Sequence, residues 1–203
     1  MKTNYNELMF DIINNLDYTP RLLIHSCCAP CSSHVLSLLS DYFEITVLYY
    51  NPNIEPFDEY EKRKKEQIRF INEYHGKNKI EFMDIDYDND TFRKYVKGLE
   101  NEKEGGARCN KCFYLRLEKT SKLALEKNYD FFGTTLTVSP YKNHLMINEI
   151  GEKLEDTYKI KFLYSDFKKQ NGYKNSIELS KKYNLYRQHY CGCLYSKEDE
   201  INE

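Results

Sequence analysis

Short runs of apolar and β-branched residues alternate with longer amphipathic segments from residue 21 to residue 184. Nothing else in the chain limits its fold as strongly. A strand, a helix and a second strand close into a right-handed crossover, and repeated crossovers build a parallel sheet covered by helices. RLLIH (21–25), EITVLYY (44–50), IEFMDI (80–85), DFFGTT (130–135) and KFLYS (161–165) read as strands. Helical periodicity marks 29–40, 57–74, 89–100, 109–127, 142–157 and 175–184, with 137–140 left as a loop. The expectation is an α/β fold, a single domain over 1–203 with a mostly parallel sheet flanked by helices. An amphipathic N-terminal helical extension covers 1–18 and an acidic tail covers 194–203. No internal repeat or low-complexity linker divides the chain.

Charge and composition exclude several classes of function. Among 203 residues, 30 Lys and Arg stand against 32 Asp and Glu. That balance excludes a globally basic nucleic-acid coat and leaves room for local basic patches. With 19 Tyr and 11 Phe the chain has enough apolar surface to fold. No apolar run approaches the roughly 18 residues of a membrane span. The N-terminus carries no apolar signal region with a cleavage site. The expected setting is the cytoplasm, without a membrane partner, where thiols stay reduced.

Against that background the cysteines stand out. All seven fall in three tight groups: 27, 28 and 31; 109 and 112; 191 and 193. Cysteines kept as small core hydrophobes would scatter, and an odd number does not close a disulfide framework. Grouping in a reducing compartment points to metal or redox chemistry. Cys28-Ala29-Pro30-Cys31 is a CxxC between strand and helix, where the helix N-terminus favours thiolate. Cys109-Asn110-Lys111-Cys112 is a second CxxC, with both sulfurs on one helix face. Two such pairs supply four thiolates, enough for zinc or for an iron–sulfur cube, and spacing does not choose between them. One tetrahedral zinc accounts for only four of the seven. Cys191-Gly192-Cys193, with Cys27, suits a second metal with open positions. The CxxxCxxC run of radical-SAM enzymes is absent.

Parallel sheets bind ligands at the carboxyl ends of their strands. The first cysteine group sits there, after 21–25, and 134–143 opens on the same rim if 130–135 is the neighbouring strand. The histidines at 25, 34, 75, 144 and 189 have no ligand-like spacing to one another, and His189, two residues from Cys191, is the one to watch. Residues 59–79 carry a local +3, and residues 158–187 a local +6 interleaved with five tyrosines. Cations and rings together suit RNA, while a solvated helix face explains the same pattern.

Five segments resemble the QueH-type epoxyqueuosine reductases: HSCCAPCSSHVL, YYNPNIEPFDEYEKR, GGARCNKCFYLRL, TTLTVSPYKN and RQHYCGC. The resemblance runs from about Arg21 to Cys193. It implies a Rossmann-like, HUP-like domain that reduces epoxyqueuosine to queuosine at the wobble position of tRNAs with GUN anticodons. The reaction would need no cobalamin, and no ATP, since CCAPC replaces the glycine-rich phosphate loop of ATP-using relatives. An external low-potential electron donor is implied, with tRNA and not DNA as the partner.

The family pattern further implies a [4Fe–4S] cluster on Cys28, Cys31, Cys109 and Cys112, beside a mononuclear iron on Cys27, Cys191 and Cys193. Some members carry Asp at position 31, so Cys31 here would make the cluster all-thiolate, which bears on its potential. The iron would act as Lewis acid on the epoxide oxygen, with Tyr141, His189 or iron-bound water as candidate proton sources. Arg108, Lys142 and Arg187 flank the motifs as candidate phosphate contacts, with ordinary salt bridges as the alternative. Two other functions compete: a dithiol oxidoreductase on Cys28 and Cys31, and a zinc-stabilised RNA-binding module.

Overall fold

The computed structural model describes residues 3–196. Five strands, β1 (Arg21–His25), β2 (Glu44–Tyr49), β3 (Ile80–Asp84), β4 (Phe131–Thr134) and β5 (Lys161–Phe162), form one sheet. Their order is β3-β2-β1-β4-β5, and all four pairings are parallel. The chain winds outward from β1 to β3, returns, and winds the other way through β4 and β5, so the strand order reverses between β1 and β4. The domain is therefore Rossmann-like, with a crevice at the carboxyl ends of those two strands.

Among the described residues the sheet is covered by the helices α1 (Tyr5–Asn14), α2 (Ala29–Leu39), α3 (Phe57–Glu73), α4 (Asn89–Tyr95), α5 (Ala107–Glu126), α6 (His144–Tyr158) and α7 (Gly172–Lys182). Leu22, Leu23 and Ile24 are fully buried in succession because β1 is covered on both faces. Leu23 and Phe132 pack on one side with Leu117, Ile147 and Leu154 of α5 and α6. Leu22, Ile24 and Val47 pack on the other with Val35 and Leu36 of α2. Met9 and Ile13 of α1 join this second core. On α6, a Cβ at Gly151 would lie 2.2 Å from the Phe162 ring, so glycine allows the close seat of that helix on β5.

Several boundaries differ from the sequence expectation for local reasons. The helix expected over 89–100 ends at Tyr95, and Gly98 with φ +84° follows it. The strand expected over 161–165 spans only Lys161–Phe162. Beyond it the Asn148 carboxamide replaces the ladder, accepting from Ser165 N at 2.9 Å and donating to Ser165 O at 2.8 Å. A 3-10 turn over Thr135–Val138 takes the last residue of the strand expected over 130–135 and the start of the loop expected over 137–140, and the Thr134 hydroxyl accepts from Leu136 N. The last helix begins at Gly172, three residues earlier than expected. Of the expected acidic tail, 197–203 lie outside the described residues.

Candidate metal centre

Backbone geometry delivers the first cysteine group. His25 ends β1, and Cys28 is the extended N-cap residue of α2, with Pro30 in the helix's first turn. No side chain caps that helix end, so the Cys28 thiol is left for other work. The Sγ atoms of Cys27, Cys28 and Cys31 lie within 4.8 Å of one another, and Cys27 and Cys28 are 3.8 Å apart. Ser26 anchors the junction: its N–H donates to Leu48 O at 3.0 Å and its hydroxyl to Gln67 of α3 at 2.9 Å.

Beneath the junction lies His25. Its Nε2 faces two acceptors, Tyr50 O and Asn51 Oδ1, both at 3.2 Å, while Asn51 Nδ2 donates to Ser26 O. Nε2 therefore carries the proton, and Nδ1 accepts from the Thr134 hydroxyl at 3.0 Å on β4. Complete burial and the nearby Arg116 guanidinium lower the His25 pKa to about 3. This neutral imidazole ties β1 to β4 across the reversal and has no proton to offer a substrate.

The second group rises from α5. Cys109 sits in its first turn and Cys112 one turn on, and Gly105 N–H donates to Cys109 Sγ at 3.2 Å. The third group arrives on the C-terminal segment. Gly192 has φ +116°, and a Cβ there would come within 2.8 Å of Ile54 and 3.0 Å of the Arg63 guanidinium. Gln188 Nε2 donates to Cys28 Sγ at 2.9 Å, joining the third group to the first. Cys109, Cys112, Cys191 and Cys193 line one small chamber with Asn53 and Arg116. Cys191 also lines a cavity of about 530 Å³, where it meets Cys27, Cys31, Lys142 and Tyr141.

Electrostatics at this meeting point favour the anion at one sulfur, Cys27, and the neutral thiol at its neighbours. Hydrogen bonds from Cys28 and Cys31 hold the Cys27 thiol well below its ordinary range against the opposing effect of burial. Cys28 is pushed up to about 12, chiefly by its hydrogen bond to Cys27, so one negative charge settles on Cys27. Burial pushes Cys112 up to about 12 and Cys193 up to about 11. Burial works against the Arg116 charge, but the thiols of Cys112, Cys191, Cys27 and Cys109 outweigh it. Lys142 behaves alike: burial opposes its charge, and Cys191, Cys27 and Cys31 more than offset that. Cations placed among thiols suit a metal–thiolate assembly, whose net charge is negative.

The QueH epoxyqueuosine reductase family model matches residues 22–199. The chain is 43% identical to the epoxyqueuosine reductase QueH of Staphylococcus epidermidis, covering 96% of this chain and 85% of that protein. It is 42% identical to the QueH of Streptococcus pyogenes serotype M1, over 96% of this chain and 78% of that one. The QueH of Thermotoga maritima is 35% identical, over 86% of this chain and 89% of its own. The chain belongs to the QueH family. It is thus an epoxyqueuosine reductase, an oxidoreductase of queuosine biosynthesis.

Within this QueH chain the expected site residues separate into several environments. All seven cysteines converge, but their grouping cuts across the division that the family pattern implies. Cys27, Cys28 and Cys31 form one compact trio, and the other four line the chamber beside it. Lys142, expected at a phosphate, faces the thiols. Arg108, expected in the same role, is buried, and its Nη1 donates to Leu99 O, Glu100 O and the Glu102 carbonyl. It ties down the turn before α5. Arg187 and His189 are exposed on the rim of the larger cavity, and Tyr141 is 80% exposed there. Sequence reasoning passed over Arg116, Arg63 and Asn53. Arg116 had a signal, since it follows Cys112 by one helical turn and so shares its face. No helix among the described residues is long and apolar enough to cross a membrane.

Proposed function

We propose that this chain removes the epoxide oxygen of epoxyqueuosine in tRNA by means of a [4Fe–4S] cluster and a mononuclear iron bound by its seven cysteines. The observation that carries this reading is the convergence of all three cysteine groups on one crevice, with buried cations among them. Seven thiols exceed the needs of a single tetrahedral metal and match four cluster ligands plus three for an iron. When bound, these centres supply electrons one at a time and a Lewis-acidic position for the epoxide oxygen. Loss of that oxygen as water consumes two electrons and two protons.

The chain's own residues do the rest. The larger cavity is of the size that takes a small ligand, and the thiols form its floor. Lys142 presents an ammonium beside Cys27 and Cys31, where it can hold a developing oxyanion and donate to it. Tyr141 and His189 stand at the mouth, reachable by solvent, as sources of the second proton. His25 stays neutral and holds the floor in register. Arg187 on the rim meets the phosphates of a tRNA whose wobble nucleotide turns inward. The substrate is a tRNA with a GUN anticodon, the electrons come from an external low-potential donor, and the setting is cytoplasmic.

The family pattern places Cys28, Cys31, Cys109 and Cys112 on the cluster and Cys27, Cys191 and Cys193 on the iron. The compact trio favours a second division, with Cys27, Cys28 and Cys31 on the iron and the chamber's four thiols on the cluster. Cys193→Ala separates them: under the first division the cluster's absorbance survives, and under the second it is lost. Iron, zinc and acid-labile sulfide in protein purified without oxygen test the whole reading. Iron in excess of sulfide, with turnover of epoxyqueuosine-tRNA, is expected. Zinc without sulfide points to the structural module, and activity of metal-free protein to a dithiol reductase on Cys28 and Cys31. Either result overturns the proposal.

A further inference from the structure

Two buried side chains of the small chamber carry polar atoms without a hydrogen-bond partner. Asn53 is 1% exposed, and neither its Nδ2 nor its Oδ1 makes a hydrogen bond. Arg116 is equally buried; its Nε donates to Cys112 O at 3.2 Å, and its Nη2 makes no hydrogen bond. Leaving such donors unpaired is costly, and folded proteins rarely do so without an occupant. The neighbouring groups show the contrast. Asn51, two residues from Asn53, uses both ends of its carboxamide, and buried Arg63 donates through Nε, Nη1 and Nη2. The unpaired donors gather where Cys109, Cys112, Cys191 and Cys193 do.

We infer that the Asn53 carboxamide and the Arg116 guanidinium donate hydrogen bonds to the sulfur atoms of the cluster bound at Cys109 and Cys112. The inference rests on the iron–sulfur reading above. It is independent of which division of the remaining thiols holds, because Cys109 and Cys112 are cluster ligands in both. The chemistry is complementary: both groups present N–H, and cluster sulfur is an anionic acceptor. Hydrogen bonds to sulfur stabilise the reduced, more negative state, so these two residues raise the cluster's potential. The chamber also has room for a single trapped water, which would satisfy the same donors without affecting the cluster.

The test is an EPR-monitored redox titration of anaerobically prepared full-length protein, with iron, sulfide and thermal midpoint measured on each sample. Asn53→Ala is expected to keep its iron and sulfide while its midpoint potential falls. Asn53→Asp, which adds a negative charge, should fall further. Arg116→Gln should move in the same direction, and Arg116→Lys, which keeps the charge, by less. A loaded Asn53→Ala protein with unchanged potential and unchanged g-values overturns the inference and leaves the water. Loss of iron from Asn53→Ala at an unchanged thermal midpoint makes Asn53 a ligand, and overturns it too. Wild-type protein that holds no sulfide defeats the iron–sulfur reading itself, a failure that appears before any variant is made.

Discussion

Cys27, Cys28 and Cys31 sit where β1 runs into α2, so backbone hydrogen bonds of the sheet and the first helical turn set their positions. Cys191 and Cys193 arrive on a strap, residues 185–193, that belongs to no helix or strand. One face of α3 holds that strap through side chains. Glu66 accepts from Tyr186 N at 2.6 Å and Glu59 accepts from the Tyr186 hydroxyl at 3.0 Å, while Arg69 donates to Tyr183 O at 3.0 Å just ahead of the strap, at the end of α7. Further along, Arg63 donates to Tyr190 O at 3.2 Å and to Cys191 O at 3.1 Å. Glu55 N–H then closes onto Gly192 O at 2.8 Å. One half of the centre is thus built into the sheet, and the other half is tied on. The tied half is the part that a single side chain can loosen while the sheet stays intact.

Removing a thiol from either half should have the largest effect. Cys27→Ala and Cys191→Ala are both expected to reduce turnover of epoxyqueuosine-tRNA to background. Near-wild-type turnover in either variant would remove that cysteine from the centre. Arg63→Gln removes the two backbone contacts of the tether together with the Arg63–Glu59 ion pair. Breaking a buried ionic clamp should lower stability by about 3 kcal/mol. It should also weaken metal affinity by roughly 10–100-fold, the scale of lost support around ligands. Hydrogen exchange should rise in 185–193 well beyond its rise in β1. Equal increases in the two regions would show that the strap is no separate unit.

Gly192→Ala comes next. Its φ of +116° and the closeness of Ile54 and Arg63 predict a loss of about 1–3 kcal/mol. Calorimetry would report that as a fall of several degrees in the thermal midpoint. An unshifted midpoint would mean that the strap takes up the extra methyl without strain. The smallest effect concerns acid. The hydrogen bond from Arg69, helped by Tyr186 N and by the Lys62 charge, holds the Glu66 carboxyl below its ordinary range against partial burial. Its contribution is full above the unfolded carboxyl's pKa and is lost as pH falls through the lower, folded value. Protection of the strap amides, relative to their intrinsic exchange rates, should therefore fall in acid before that of β1, and Glu66→Gln should abolish this difference. Acid-independent protection in the unsubstituted protein would show that the tether does not depend on Glu66.

Much of the frame was legible because its signals are local. β1 matches its expected span, since Leu22, Leu23 and Ile24 form an unbroken apolar run, and α2 starts at the expected residue, with Pro30 in its first turn. The spans that moved are those decided elsewhere in the chain. Asn148 captures Ser165 and ends β5, an exchange between residues on different elements that no run of hydrophobicity announces. The cysteine groups were equally legible as chemistry, since seven thiols in three clusters are visible in any reading of the chain.

Convergence was a different matter. The sequence by itself determined which residue types are available, the α/β class, and the carboxyl end of the first strand as the place to look. Only the tertiary structure decided that Arg116, Lys142 and Asn53 face the thiols, that Arg108 is a structural tie, and that α3 secures the last two cysteines. The physical reason is range. Periodicity and capping act over a few residues, whereas a buried charge or an unpaired amide acquires its role from groups brought beside it across 50 to 140 positions of chain.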